Sequence, residues 1–569
     1  MYDDSVPVLI AGGGPVGLAI SLFLARFGVP SLLVERHKST TLHPRARGLN
    51  MRTMEVFRSV DLAEALQAVG AVVNLERYTL VVDTLAGEER QRILPQGTAA
   101  NYAYARMLSP ETWCLCAQDE IEPILFKAAK LHGSDLRFYT ELVSFEQDAT
   151  GVTAQIVDRA TGAQRTVRAS YLIAADGVNS RIRDTMLKVP MIGARTLAHY
   201  INIYFRGDLT DLVAHRQFVM CHVENPEARG LFFTVNDTDR WLFNIAYEPE
   251  KGETPEDYTA ERCIAIVRKA VGVPDLDVEV LSTLPWEAAT CIAENFLIGR
   301  VFLAGDAAHI MPPFGASGIN IGVQDAHNLA WKLAAVIKES AGPELLTTYD
   351  TERHPIGDLT IRQADFRHKG IMQHASSDDI SKAAPTFEKQ MDVILKYRYD
   401  SSAVIAEGDA PPSSSSDYDA RSGSRAPHLW LEQEGRRISI LDLFGQHFVL
   451  LTGEDGIIWL NAVKVVEQRL NLALTGYRIG RSGDLVDAED QFGSMYRITP
   501  EGAVLVRPDG FVAWRTRRGE ADPEQALEQA LRQILARPDS VIDNGLYGSD
   551  SPIKAVKSTV KKEMYTSAQ

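Results

Sequence analysis

The stretch VPVLIAGGGPVGLAISLFLARFG, Val6–Gly28, decides how the chain begins. It opens on an apolar run of strand length and passes through a glycine cluster. It ends with Leu18, Ser21, Leu22 and Ala25 at helical spacing ahead of Gly28. That order spells a strand, a tight turn and a helix. SLLVER, Ser31–Arg36, supplies a second strand directly afterwards. Such a strand-helix-strand unit crosses over right-handedly and implies a parallel sheet. The uncharged run Val6–Ala25 has the length of a membrane span, yet it holds four glycines and two prolines and follows Asp3 and Asp4 rather than a basic segment. It reads as buried strand, turn and helix, with no signal peptide.

Within the turn, Gly12, Gly14 and Gly17 form G-x-G-x-x-G around Pro15 and Val16. The first glycine permits the turn, the second lets a pyrophosphate approach the backbone, and the third brings helix against sheet. The helix start adds free N–H groups and a partial positive charge. Glu35 and Arg36 close the second strand, and Glu35 stands where a carboxylate accepts from the ribose hydroxyls of an adenosine. A dinucleotide site follows, but this motif alone does not separate FAD from NAD.

Two later segments carry the separation. YLIAADGVNSRIRD, Tyr171–Asp184, is an apolar strand ending in Asp176 and Gly177, with Ser180 and Arg183 at helical spacing behind it. VFLAGDAAH, Val301–His309, is another apolar strand, ending in Gly305 and Asp306, which suits a carboxylate gripping the hydroxyls of a sugar-alcohol chain. The chain then breaks at Pro312 and Pro313 and runs through Gly315, Ser317, Gly318, Ile319 and Asn320 into a helix. Its expected buried face is Val323, Ala326, Ala330, Leu333 and Ile337. Small residues let the backbone lie against a flat ring, and the helix start offers N–H groups to the anionic edge that a reduced isoalloxazine develops.

With these three motifs in this order, the sequence resembles the FAD-dependent class A aromatic hydroxylases, the group of p-hydroxybenzoate hydroxylase, phenol hydroxylase and the aromatic polyketide hydroxylases. The resemblance covers nearly the whole chain. HPRARGLNMRTMEVFR is similar to the family's segment after the second strand, which implies Arg45 over the FAD pyrophosphate. CAQDEIEPIL resembles the family's helix start and implies a flavin or ribityl contact for Gln118. Leu142, in TELVSFEQD, matches a backbone contact near the adenine. Pro313, Gly315, Gly318, Ile319 and Asn320 match the flavin loop.

The resemblance implies an α/β fold: a Rossmann-like FAD-binding domain of the glutathione-reductase type, an antiparallel-sheet substrate domain and a C-terminal thioredoxin-like domain. The FAD-binding domain is expected over 1–70, 105–185 and, with interface helices, 290–400. The substrate domain takes 71–104 and 186–289, a linker 401–424, the thioredoxin-like domain 425–548 and a tail 549–569. The alternating blocks Val72–Arg92 and Leu197–Leu284 supply one antiparallel sheet. EGDAPPSSSSDYDARSGSRAP has the composition of a linker, and AVLVRPDGFVAWR reads as a hairpin around Pro508, Asp509 and Gly510, followed by a helix near Pro523–Ala536.

The implied reaction uses NADPH or NADH to reduce FAD, after which dioxygen adds at the flavin C4a position and the terminal oxygen of that hydroperoxide passes to an electron-rich aromatic ring. A small aromatic molecule and dioxygen are therefore the expected partners. The residues assign no catalytic base. Tyr200, Tyr204, Arg206, His199 and His222 lie in or near the substrate sheet, and Asp176 and Arg183 are expected near both cofactors.

Composition narrows the alternatives. Lys and Arg total 59 against 75 Asp and Glu, a formal charge of −16, which disfavours nucleic acid or an anionic membrane as partner. Five cysteines, without metal-ligand spacing, point to a reduced, cytoplasmic setting and no metal. All five lie at or before Cys291, so the C-terminal domain has no Cys-x-x-Cys and cannot exchange disulfides, which leaves it a structural or homodimer-related role. Flavin halogenases typically carry Trp-x-Trp-x-x-Ile-Pro, and no two tryptophans here are two positions apart. Baeyer-Villiger oxygenation on the same scaffold and a non-catalytic FAD-binding protein remain the alternatives.

Overall fold

The computed structural model describes residues 2–72, 78–93, 99–236, 238–313, 317–372, 387–407 and 419–537. The expected Gly315, the central part of the Ser-rich stretch and the tail from 549 lie outside them. Among the described residues no helix is long and apolar enough to cross a membrane.

The opening segment folds as a strand, Asp4–Ala11, a helix, Pro15–Arg26, and a second strand, Ser31–Glu35, paired parallel to the first. Gln164–Ala174 joins the other side of the first strand, followed by Val301–Leu303, and Asp135–Phe138 extends the second, all in parallel. The strands that carry the three motifs thus end on the same edge of one sheet. Strands buried on both faces read as continuous apolar runs, and Val8, Leu9, Ile10, Leu172, Ile173 and Phe302 are fully buried here.

Two long strands, Met191–Arg206 and Glu279–Ala293, pair along their length and carry the chain out into a second, eight-stranded sheet. That sheet is not wholly antiparallel, as the alternating blocks suggested. Phe218–Val223 pairs parallel with Tyr78–Val82. The two come from blocks far apart in the chain, so no hairpin fixes their relative direction. One face of the sheet packs on the helix Ala260–Val271, whose Cys263, Val267 and Ala270 are buried with Ile201, Ile203, Trp241 and Phe243.

A third, seven-stranded mixed sheet forms the thioredoxin-like region, with helices Ile457–Leu470 and Pro523–Ile534 packed together over it. The hairpin at Gly510, φ +78°, joins Ala503–Val506 to Val512–Thr516 as expected. Part of the stretch read as linker behaves otherwise. Asp419, Ala420, Arg421 and Ser422 are buried, and Gly423 donates its N–H to Val512 O while its own carbonyl accepts from Tyr399 N–H. Serine and glycine here serve close packing, since a Cβ on Gly423 would lie 2.1 Å from Tyr399 O.

The helix Ser317–Ile337 departs further from its pattern. The expected apolar face is buried apart from Ile337, which is only partly so, but Gln324, Asp325, His327, Asn328 and Lys332 are buried too. The helix runs through the middle of the molecule, with the helix Thr347–Met372 and the C-terminal sheet region covering the side that looked solvent-facing.

Candidate active site

The glycine turn is shaped by close approaches. Gly12 has φ +114°, and a Cβ there would lie 2.2 Å from Ala175 O, while one on Gly17 would lie 2.0 Å from Gly12 O. These two glycines let the turn touch the neighbouring strand end and let the helix seat on the turn. Gly14 differs. Nothing stands within 4 Å of where its Cβ would be, and it faces a cavity. Pro15 takes the first helical position, where its missing N–H costs nothing. Val16 locks this helix to the third motif, because a Cβ on Gly305 or Gly322 would meet Val16 Cγ2 at 2.8 or 2.5 Å. Nothing in the local sequence had singled out Gly322.

Glu35 braces the turn. Its Oε2 accepts from Gly13 N–H at 2.6 Å and its Oε1 from His37 N–H at 2.8 Å, and with Arg36 it lines the cavity. Beyond it the segment 39–50 runs along the cavity as a strap. Gln118 accepts from Ala46 N–H at 3.4 Å and donates to Glu122 at 2.7 Å, while Glu122 accepts from Thr41 N–H at 2.6 Å. At the strap's far end Asn320 Oδ1 accepts from Asn50 N–H and its Nδ2 donates to Gly48 O, each at 2.8 Å. Gln118 and Asn320 thus spend much of their side-chain bonding on holding the strap. Burial raises the Glu122 carboxyl above its ordinary value. Arg45 projects from the strap, exposed on the cavity wall, and Leu142 lines the same wall from the strand Thr140–Gln147.

The Asp-Gly and Gly-Asp motifs meet across the cavity. Asp176 Oδ2 accepts from Ile182 N–H at 3.3 Å, but its Oδ1 is buried with no partner. Burial raises its pKa. Gly177, φ +83°, has open space around it. Arg183 is 2% exposed and donates to the carbonyls of Asp306, Ala307 and Val178 and to Asp184. Its guanidinium therefore pins one motif to the other. Asp306 lies deep in the molecule yet presents its surface to the cavity, and desolvation raises its pKa as well. Behind it Asp325 accepts from Gly305 N–H at 3.1 Å, from His309 at 2.7 Å and from Arg353 at 2.8 Å. Pro313, Gly318, Ile319 and Asn320 line the cavity where the long helix begins.

The cavity, about 1650 Å³, continues without a break onto the second sheet. Of the residues named there from sequence, Tyr200 lines it, whereas His199, Tyr204, Arg206 and His222 do not. Arg206 is turned outward to Glu279 at 2.7 Å. The floor also includes Asn202, Leu231, Phe233, Leu242, Asn244, Ser282, Leu284 and Trp286, none of which a local motif marks. His43 leans in from the strap, its Nδ1 2.7 Å from Ser282 Oγ and its Nε2 buried without a partner. Burial, helped by Arg45, lowers its pKa to about 4, so it serves as a neutral hydrogen-bonding group and not as a ready proton acceptor.

A family model described as the FAD binding domain matches residues 5–364, and one described as the aromatic-ring hydroxylase C-terminal domain matches 419–538. The chain belongs to the FAD-dependent aromatic-ring hydroxylases. A putative polyketide hydroxylase of Streptomyces halstedii is 42% identical over 548 residues, 93% of this chain and 96% of that one. The tetracenomycin A2 monooxygenase-dioxygenase of Streptomyces glaucescens is 40% identical, over 94% and 98%. Among solved structures, the flavin-dependent monooxygenase PieE, in complex with FAD and substrate, superposes with a TM-score of 0.87 at 33% identity, covering 95% of this chain and all of that one.

The hydroxylase therefore has the cofactor class its three motifs implied, and its residues fit that group. Gly14 presents an open backbone edge, and Asp176 presents an unmet buried acceptor oxygen. Asp306 exposes a carboxyl to the interior. A phosphate-bearing, hydroxyl-rich cofactor meets these needs with its own donors and acceptors.

Proposed function

We propose that this hydroxylase holds FAD along the glycine turn and the strap, takes electrons from NADPH or NADH, and adds one oxygen atom from dioxygen to a multi-ring phenolic substrate lying on the second sheet. One observation carries the reading. A single cavity joins all three cofactor motifs to an aromatic floor, and its 1650 Å³ exceeds the roughly 300–1,000 Å³ of an ordinary single-ligand pocket. Room for a dinucleotide and a polycyclic guest together supports a large substrate. The polyketide hydroxylase among the relatives supports the same class.

The chain's own residues divide the work. Gly14 and the start of the helix Pro15–Arg26 receive the pyrophosphate, Glu35 accepts from the adenosine ribose, and Arg45 balances phosphate charge. Asp306 accepts from the ribityl hydroxyls, and the first turn of Ser317–Ile337 directs N–H groups at the flavin edge that gains negative charge. Arg183 and Asn320 keep these walls in register. Bound FAD supplies the activation of dioxygen. Leu231, Phe233, Leu284 and Trp286 exclude water from the reacting ring and orient it.

The test is a panel of small and polycyclic phenols with FAD-loaded protein, NADPH and isotopically labelled dioxygen, read by mass. The expected result is one labelled oxygen in a polycyclic product. Flavin-loaded protein that labels no aromatic, while a ketone panel yields esters, overturns the reading in favour of Baeyer-Villiger chemistry.

A further inference from the structure

Two carboxamides stand on the cavity floor, and no cofactor motif accounts for them. Ile201, Ile203 and Phe205 point into the core beneath the second sheet, so the alternation of the strand turns Tyr200 and Asn202 to the cavity. Trp241, Phe243 and Ile245 likewise leave Leu242 and Asn244 on the cavity side. Asn202 and Asn244 are direct register partners on adjacent antiparallel strands. Their Cβ atoms therefore stand about 4.5–5.5 Å apart.

Their hydrogen-bonding states are complementary. Asn244 Oδ1 accepts from Trp286 Nε1 at 3.4 Å. An indole nitrogen only donates, so this bond fixes the oxygen toward Trp286 and leaves Asn244 Nδ2 as a donor. Trp286 is itself stacked on Tyr200, with centroids 4.5 Å apart and planes 19° from parallel. Asn202 is 7% exposed, and its Oδ1 is buried with no partner. A buried amide oxygen without a partner is costly unless a ligand meets it. Beside Leu231, Phe233, Leu242 and Trp286, the pair offers one vacant acceptor next to one donor.

We infer that Asn202 and Asn244 read one oxygenated edge of the substrate, Asn202 accepting from a ring hydroxyl and Asn244 donating to the oxygen beside it. The substrate class is thereby narrowed to fused aromatics with two neighbouring ring oxygens, at least one bearing a proton. The inference rests on the aromatic reading proposed above. It concerns binding, so its outcome separates from that of the reaction. A site built to meet a hydroxyl rejects an analogue lacking that proton, because its own acceptor is then left unpaired.

The test uses full-length, FAD-loaded protein with three probes: naphthalene-2,3-diol, 2,3-dimethoxynaphthalene and naphthalene. Binding is read from the perturbation of flavin absorbance, with FAD content and thermal midpoint confirming the fold. Wild type is expected to bind the diol most tightly. Asn202→Leu weakens the diol about tenfold or more and changes the dimethoxy probe by less than about twofold. Asn244→Leu weakens both oxygenated probes and leaves naphthalene unchanged. Asn202→Asp, which keeps an acceptor of the same shape, retains the preference for the diol and guards against a variant that merely misfolds. Equal loss of diol and dimethoxy binding in Asn202→Leu overturns the inference, and so does a wild type with no preference between them. Failure of the hydroxylase reading shows separately, as flavin-loaded protein that adds oxygen to no aromatic whatever these binding constants are.

Discussion

Arg507, in the C-terminal region, grips both carboxylate oxygens of Glu352 at 2.6 and 2.9 Å, with both side chains fully buried. Lys332 from the long central helix adds a third bond to Glu352 at 2.7 Å, and Asn328 a fourth at 2.7 Å. The C-terminal region is thereby bolted to the helix whose first turn lines the cofactor cavity. Burial alone would raise the Glu352 carboxyl, but Arg507 and Lys332 outweigh it and hold it well below the usual range. Burial lowers Lys332 to about 8 despite Glu352.

Removing the shared carboxylate takes from Lys332 its carboxylate partner and leaves Arg507 with Asp509 alone in the interior. Glu352→Gln is expected to destabilise the protein by about 3–5 kcal/mol, measured by denaturant unfolding. A change below about 0.5 kcal/mol would show that the network is not holding the two parts together.

Gly12 tests the turn as a piece of backbone. Gly12→Ala places a Cβ 2.2 Å from Ala175 O at φ +114°, so it strains the apoprotein as well as the cofactor site. The expected result is a lower thermal midpoint even without FAD. An unchanged apoprotein midpoint would contradict the close approach.

His327, packed edge-on against Phe23, is held to about 3 by burial and by nearby Arg52, against an ordinary 6.5. It is neutral when folded and takes a proton when unfolded below about pH 6.5, so its contribution is full above that pH and falls as pH drops toward 3. Comparing wild type with His327→Leu isolates this group from the other titrating groups. Below pH 6.5 wild type is expected to lose stability relative to the variant by about 1.4 kcal/mol per pH unit. A difference that stays constant from pH 7 to pH 4.5 would rule this out.

Cys114, Cys116, Cys221, Cys263 and Cys291 are all free and buried. Burial pushes Cys114 up to about 11 and Cys221 up to about 12, which keeps both as thiols near neutrality. Thiol titration of the native protein at pH 8 is expected to find none reactive, and to find all five after denaturation. A rapidly reacting native thiol would revise the account of these sites.

The parts of the molecule that were legible in sequence are those whose signal is local. The first strand, glycine turn and helix, the two apolar strands ending at Asp176 and Asp306, and the hairpin at Gly510 each declare themselves within about a dozen residues. What stayed hidden depends on partners remote in the chain. Asp325, Asn328 and Lys332 look like the wet face of a helix until Arg353, Glu352 and Arg507 arrive to cover them. Asn202 and Asn244 look like ordinary polar strand positions, because alternation separates the two faces of a sheet without telling which one borders a cavity. Gln118 was found by resemblance and Arg183 and Asn320 by their place behind the Asp-Gly motif and at the start of the long helix, but only the fold displays the bonds by which they join chain to chain.

If FAD lies with its pyrophosphate against Gly14, the substitution Gly14→Val closes that place to it. The added side chain meets no protein atom within 4 Å of its Cβ, so the apoprotein should fold with the wild-type thermal midpoint. Titration with FAD, followed by flavin fluorescence, is then the decisive measurement. Binding is expected to weaken by about 100-fold or more, as the side chain occupies the space of the cofactor. A well-folded Gly14→Val protein that binds FAD as tightly as wild type would contradict it.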